Sequence, residues 1–182
     1  MKRIINILVT IAMLFAVAAS PALAGPQKAG GNTSLARQVR KNLVTLPFYG
    51  VFDNLAYEVS DGGDTVTLYG QVTRPTTRKD AERRVSRIEG VERVINRIEV
   101  LPVSPMDDRI RARTYRTVFN TGGLYRYAMG ANPSIHIVVN RGHVTLEGVV
   151  SGKMDSQLAY MAARQVPGVF SVTNNLVVER GN

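Results

Sequence analysis

Three arginines in one short stretch, Arg109, Arg113 and Arg116, have the side-chain type and spacing to contact phosphate. At 100° per residue they fall within about 60° of one another on a helix, turned away from Ile110, Thr114 and Val118. Tyr115 and Phe119 flank them, and Tyr125 and Arg126 follow shortly after. Guanidinium suits a phosphate, and aromatic rings suit the headgroup layer of a membrane, so the set reads as a peripheral lipid contact. The bland alternative is a solvated arginine face whose aromatics pack against the preceding part of the chain.

No other constellation carries chemistry. His136 and His143 flank a hairpin and are candidate neighbours, but two imidazoles without a third ligand or any cysteine do not make a metal site. There is no G-x-S-x-G, no S-x-x-K and no paired-carboxylate setting, so no catalytic residues are assigned. The pairs Gly30-Gly31, Gly62-Gly63 and Gly122-Gly123 lack the lysine and helix of a phosphate cradle. No cofactor is expected. Arg78, Lys79, Arg83, Arg84 and Arg87 are interleaved with Asp80 and Glu82, with Asp80–Arg84 in favourable i,i+4 order, and read as an ordinary exposed helix face.

The elements that position these residues are announced by a repeat. Val66-Thr67-Leu68-Tyr69-Gly70-Gln71-Val72 returns 78 residues later as Val144-Thr145-Leu146-Glu147-Gly148-Val149-Val150. At the same offset Gly90-Val91-Glu92-Arg93-Val94-Ile95-Asn96-Arg97-Ile98 returns as Gly168-Val169-Phe170-Ser171-Val172-Thr173-Asn174-Asn175-Leu176. A period of domain size means two copies of one fold. Apolar spacing and glycine recur while charged side chains change, which marks a duplicated scaffold.

Each copy spells αββαβ, an α+β fold with a three-stranded mixed sheet covered by two helices. In the first, Leu35, Val39, Leu43 and Leu46 form a helical stripe ended by Pro47. Strands are predicted over Leu55–Val59 and Thr65–Val72, a helix from Pro75 to just before Gly90, and a third strand over Val91–Leu101. In the second, a helix carries Ile110, Thr114 and Val118. Strands cover Pro133–Val139 and His143–Val150 around Asn140-Arg141-Gly142. A helix follows with Met154, Leu158, Met161, Ala162 and Gln165 in its stripe and Ser151 as cap, and the last strand spans Phe170–Val178. The β-α-β crossover makes the last two strands of each copy parallel. Gly70 and Gly148 are mid-strand positions of close backbone packing, and Gly90 and Gly168 terminate helices. Asn96 and Asn174 are expected on the apolar face, satisfying backbone at the start of the strand.

The first residues read as an export signal. Met1-Lys2-Arg3 is basic, Ile4–Ala19 is apolar, and Ser20-Pro21 followed by Ala22-Leu23-Ala24 suits cleavage after Ala24. The run is short for a membrane span, and no other run approaches spanning length. Residues 1–24 are thus the signal, 25–32 a flexible leader, 33–102 and 106–180 the two copies, and 103–105 a stiff linker. With no cysteine there is neither a disulfide nor a lipid anchor. Without Lys2 and Arg3 the chain keeps 21 basic and 14 acidic side chains, a net +7 that favours an anionic partner. Export argues against nucleic acid and for a phospholipid surface.

The unit V-x-L-x-G-x-V, a helix, then G-V-x-x-V-x-N-x-(I/L)-x-V resembles the BON domain (bacterial OsmY and nodulation). Here it is Val66–Val72 with Gly90–Val100 and Val144–Val150 with Gly168–Val178. The resemblance implies a periplasmic protein of the osmotically inducible kind, without enzymatic activity. It also implies phospholipid interaction and a role in envelope integrity or stress. The alternative is an envelope protein-binding or chaperone-like module with no lipid role. A lipid-binding member type has a tryptophan near the start of the second domain's first helix, where this chain has Arg109.

Overall fold

The computed structural model describes residues 33–60, 62–130 and 132–179. The expected signal and leader, residues 1–32, lie outside the described residues.

Two αββαβ units follow one another. The first has α1 (Thr33–Val44), β1 (Asn54–Val59), β2 (Thr65–Val72), α2 (Pro75–Val85), β3 (Arg93–Asn96) and β4 (Glu99–Val100). The second has α3 (Pro105–Phe119), a 3-10 helix over Leu124–Ala128, β5 (Ile135–Asn140), β6 (His143–Val150), α4 (Lys153–Arg164) and β7 (Ser171–Val178). β2 pairs antiparallel with β1 and parallel with β3 and β4; β6 pairs antiparallel with β5 and parallel with β7. Alternation sends Val66, Leu68 and Val72 of β2, and Val144, Leu146 and Val150 of β6, into two cores closed by helices on the same face.

Glycine makes the central strands possible. Gly70 and Gly148 have φ of +113° and +118°, and a Cβ there would stand 2.0 Å from the carbonyl oxygen of Asn54 or Ser134. Opposite Leu68 and Leu146, two residues before each glycine, stands the repeated asparagine. Asn96 Nδ2 donates to the Arg78 carbonyl at 3.1 Å, and its Oδ1 accepts from Ile98 N–H. Asn174 does the same with Ser156 and Leu176. These amides therefore tie the third strand to the covering helix, at the end of β3 in the first unit and in the middle of β7 in the second, not at the strand start as expected.

Other expectations change. The predicted third strand of the first unit is broken into β3 and β4, with Asn96 capping the Ile98 amide across the break. Helix α3 begins at Pro105, inside the expected linker, because Ser104 caps it by accepting from Asp107 N–H at 3.2 Å. Gly152, not Ser151, precedes α4. That helix buries Ala159, Ala162 and Ala163, packs Leu158 half-buried against the core, and leaves Met154 and Met161 exposed on its outer side. Asp80 pairs with Arg83 rather than Arg84, which instead donates to the Thr45 carbonyl at 3.0 Å.

The units are joined by the loop before β1. Val51 and Phe52 pack against the second core, and the Val51 carbonyl accepts from Ile137 N–H at 2.7 Å, extending the β5 edge. Tyr49 stacks on His136 with ring centroids 5.4 Å apart, and burial pushes its hydroxyl up to about 12. Asp53, buried, accepts from the Thr73 amide and hydroxyl and from Gly50 N–H, which holds the loop in shape.

Candidate functional site

Helix α3 is bolted down by two buried charges that sequence periodicity does not reveal. Asp107 accepts from the amides of Arg141 and Gly142 at 2.9 and 2.8 Å, satisfying the tight β5–β6 turn. Arg111 donates to the Val139 carbonyl at 2.7 Å and pairs with Asp108 at 2.6 Å. Ile110, Thr114 and Val118 face inward, as their spacing predicts. With one side fixed, the opposite side is presented rigidly.

That opposite side carries Arg109, Arg113 and Arg116, all exposed. Met106, 42% exposed, joins them one turn before Arg109, and the four span a sector of about 80°. Sequence reading missed Met106; its signal is the same helical angle. Neither carboxylate of the helix opposes the stripe, since Asp107 is buried and Asp108 is engaged by Arg111. Arg116 Nε donates to the Ala112 carbonyl at 3.2 Å, which steadies the side chain without neutralising it.

The aromatics divide. Phe119 is 4% exposed and belongs to the second core, so it cannot meet a lipid. Tyr115 is half-buried, wedged edge-on between Phe52 of the first unit and Phe119, at 6.2 and 4.8 Å between centroids. For Tyr115 the bland expectation, packing against the first unit, is what the structure has. An open depression of about 530 Å³ lies here, lined by Val51, Phe52, Ala112, Tyr115 and Arg116. Tyr125 is exposed on the 3-10 helix.

Arg126 is turned away from the arginine stripe. It pairs with Asp155 of α4 at 2.6 Å and donates to the Tyr127 hydroxyl, which itself donates to Asp155. The Tyr127 hydrogen bond, then Arg126, holds the Asp155 carboxyl below its ordinary range. Arg126 thus spends its charge on the fold, because a carboxylate is within reach.

The histidines are not neighbours. His143 Nδ1 meets Ser171 Oγ at 2.7 Å, near the turn. His136 lies further along β5, opposite Glu147, with Nδ1 at 3.2 Å from the Gly50 carbonyl oxygen; burial pushes its pKa down. Burial also pushes the Glu147 carboxyl up, against a hydrogen bond from Asn175 at 2.7 Å. Among the described residues no group of three or more His, Cys, Asp or Glu could hold a metal ion, and no helix is long and apolar enough to cross a membrane.

No curated protein matches the chain. Among solved structures, the C-terminal domain of CdsD, a structural protein of the type III secretion system of Chlamydia trachomatis, aligns at 9% identity. It covers 81% of this chain and 98% of that one with a TM-score of 0.32. A second CdsD structure aligns at 9% identity over 81% and 93%, with a TM-score of 0.33. The family model of the BON domain matches twice, over residues 32–102 and 107–180, the two stretches that fold alike. The chain belongs to the BON domain family.

Proposed function

We propose that this is a non-enzymatic, exported two-BON protein. It attaches weakly to anionic phospholipid through the exposed side of α3 and supports envelope integrity under osmotic or related stress. One observation carries the reading: Met106, Arg109, Arg113 and Arg116 form an exposed stripe with no carboxylate of the helix facing it, on a helix pinned by Asp107 and Arg111. Each basic side chain near an anionic surface contributes about 1 kcal/mol, so three give about 3 kcal/mol. Arg126 is left out because Asp155 already neutralises it. Attachment is therefore transient and salt-sensitive.

Co-sedimentation with liposomes tests it. The protein is expected to pellet with phosphatidylglycerol or cardiolipin vesicles at low salt and not with phosphatidylcholine. Charge reversal at Arg109, Arg113 and Arg116 together is expected to abolish pelleting while leaving the melting temperature unchanged. Equal, negligible pelleting in all vesicles refutes the reading. A protein-binding role is the second reading, favoured by the exposed Met154 and Met161 of α4; it predicts binding indifferent to lipid composition.

A further inference from the structure

Phe48 is unusual in two ways at once. Its side chain is 67% exposed, and its φ is +66°, a left-handed conformation that bulky residues avoid. Tyr49 N–H donates to the Leu46 carbonyl at 3.3 Å, closing a four-residue turn with Pro47 second and Phe48 third. Proline second and positive φ third is a type II pattern, whose third place normally goes to Gly or Asn. The corresponding loop of the second unit puts Gly122, Gly123 and Gly130 at its left-handed positions. Phe48 belongs to neither core, so strain and exposure are not offset by packing. A strained residue of this kind points to function.

The surroundings indicate which function. The Arg74 guanidinium lies over the ring, 4.7 Å from its centroid. Lys41, in the last turn of α1, is exposed, and Arg84 holds the base of the loop through the Thr45 carbonyl. The loop's own carboxylate, Asp53, is buried and engaged by Gly50 and Thr73. Four residues on, Phe52 borders the depression that Arg116 also lines. A lone aromatic tip beneath a guanidinium suits an anionic headgroup layer: the ring enters the acyl boundary while the guanidinium stays among phosphates.

We propose that Phe48, with Arg74, is a second contact with anionic phospholipid, made by the first unit. This rests on the lipid reading of α3 and gives it the apolar insertion that arginines alone do not supply.

The chain has no tryptophan, so Phe48→Trp places a single indole at the tip, excited selectively beyond the absorption of the tyrosines. Its emission is expected to shift to the blue on phosphatidylglycerol vesicles, to be quenched by brominated acyl chains, and to be unmoved by phosphatidylcholine. Phe48→Gly is expected to weaken vesicle binding about tenfold, with an unchanged or raised melting temperature because the turn is relaxed. If emission stays put while the protein still pellets, this proposal falls and the α3 reading stands. If emission stays put and nothing pellets, both fall. A shift that follows protein concentration without vesicles assigns the tip to self-association and overturns the proposal. So does Phe48→Gly lowering the melting temperature, which would make the ring structural.

Discussion

Replacing Gly148 by alanine tests the duplicated scaffold most directly. The new Cβ would stand 2.0 Å from the Ser134 carbonyl oxygen and 3.0 Å from its carbon, at φ +118°. A carbon–oxygen contact needs about 3.3 Å, so β5 and β6 must part by more than an ångström where Ile135 faces Gly148. The strained backbone costs about 1–3 kcal/mol, and each ladder bond lost adds about 1 kcal/mol, giving roughly 3–5 kcal/mol. For a unit of this size 1 kcal/mol moves the melting temperature by about 4–8 °C, so a fall of at least about 12 °C is expected. Gly70→Ala, with the Asn54 carbonyl oxygen at the same 2.0 Å, should match it. Gly90→Ala is the control: φ is +89° but nothing lies within 4 Å, leaving strain alone, about 1–2 kcal/mol. Thermal unfolding followed by circular dichroism reads all three. A Gly148→Ala protein melting within about 3 °C of wild type, or Gly90→Ala costing as much, would rule out the close strand approach as the cause.

Two more expectations concern the joint and the bolt. His136 is packed against Tyr49 and the Gly50 carbonyl, opposite Glu147 and near Asp53, and its pKa is depressed by burial. The unfolded chain therefore takes up the proton first as pH falls, so stability present above about pH 6.5 is lost progressively below it, until the folded form also protonates. Melting temperatures between pH 7.5 and 5 should fall in the wild type and flatten in His136→Gln; equal slopes would exclude His136 as the source. Asp107→Ala leaves the Arg141 and Gly142 amides without their acceptor, and removing two charge-assisted bonds should cost about 2–4 kcal/mol. Urea unfolding measures it, and a loss under about 1 kcal/mol would show that water replaces the carboxylate.

The elements were legible because their signals are local. The V-x-L-x-G-x-V strand announces itself by alternation, α3 by Ile110, Thr114 and Val118 on one side, and both by returning at a fixed offset. The arginine stripe was legible for the same reason, since helical angle alone collects Arg109, Arg113 and Arg116. Where the reading failed, a long-range partner had intervened. Arg126 looks like a free cation until α4 brings Asp155 to it, and Phe119 looks like a flank of the stripe until the second core takes it in.

The duplication, the order of helices and strands, the absence of disulfides and the basic side of α3 are all written in spacing and composition along a few turns of chain. Long-range packing makes Asp107 and Arg111 buried bolts, joins the two units by the Tyr49–Asp53 loop through His136 and Ile137, and leaves Phe48 strained in water. Such roles depend on which distant backbone group arrives at a side chain, and that is set by how the sheets and helices close on one another.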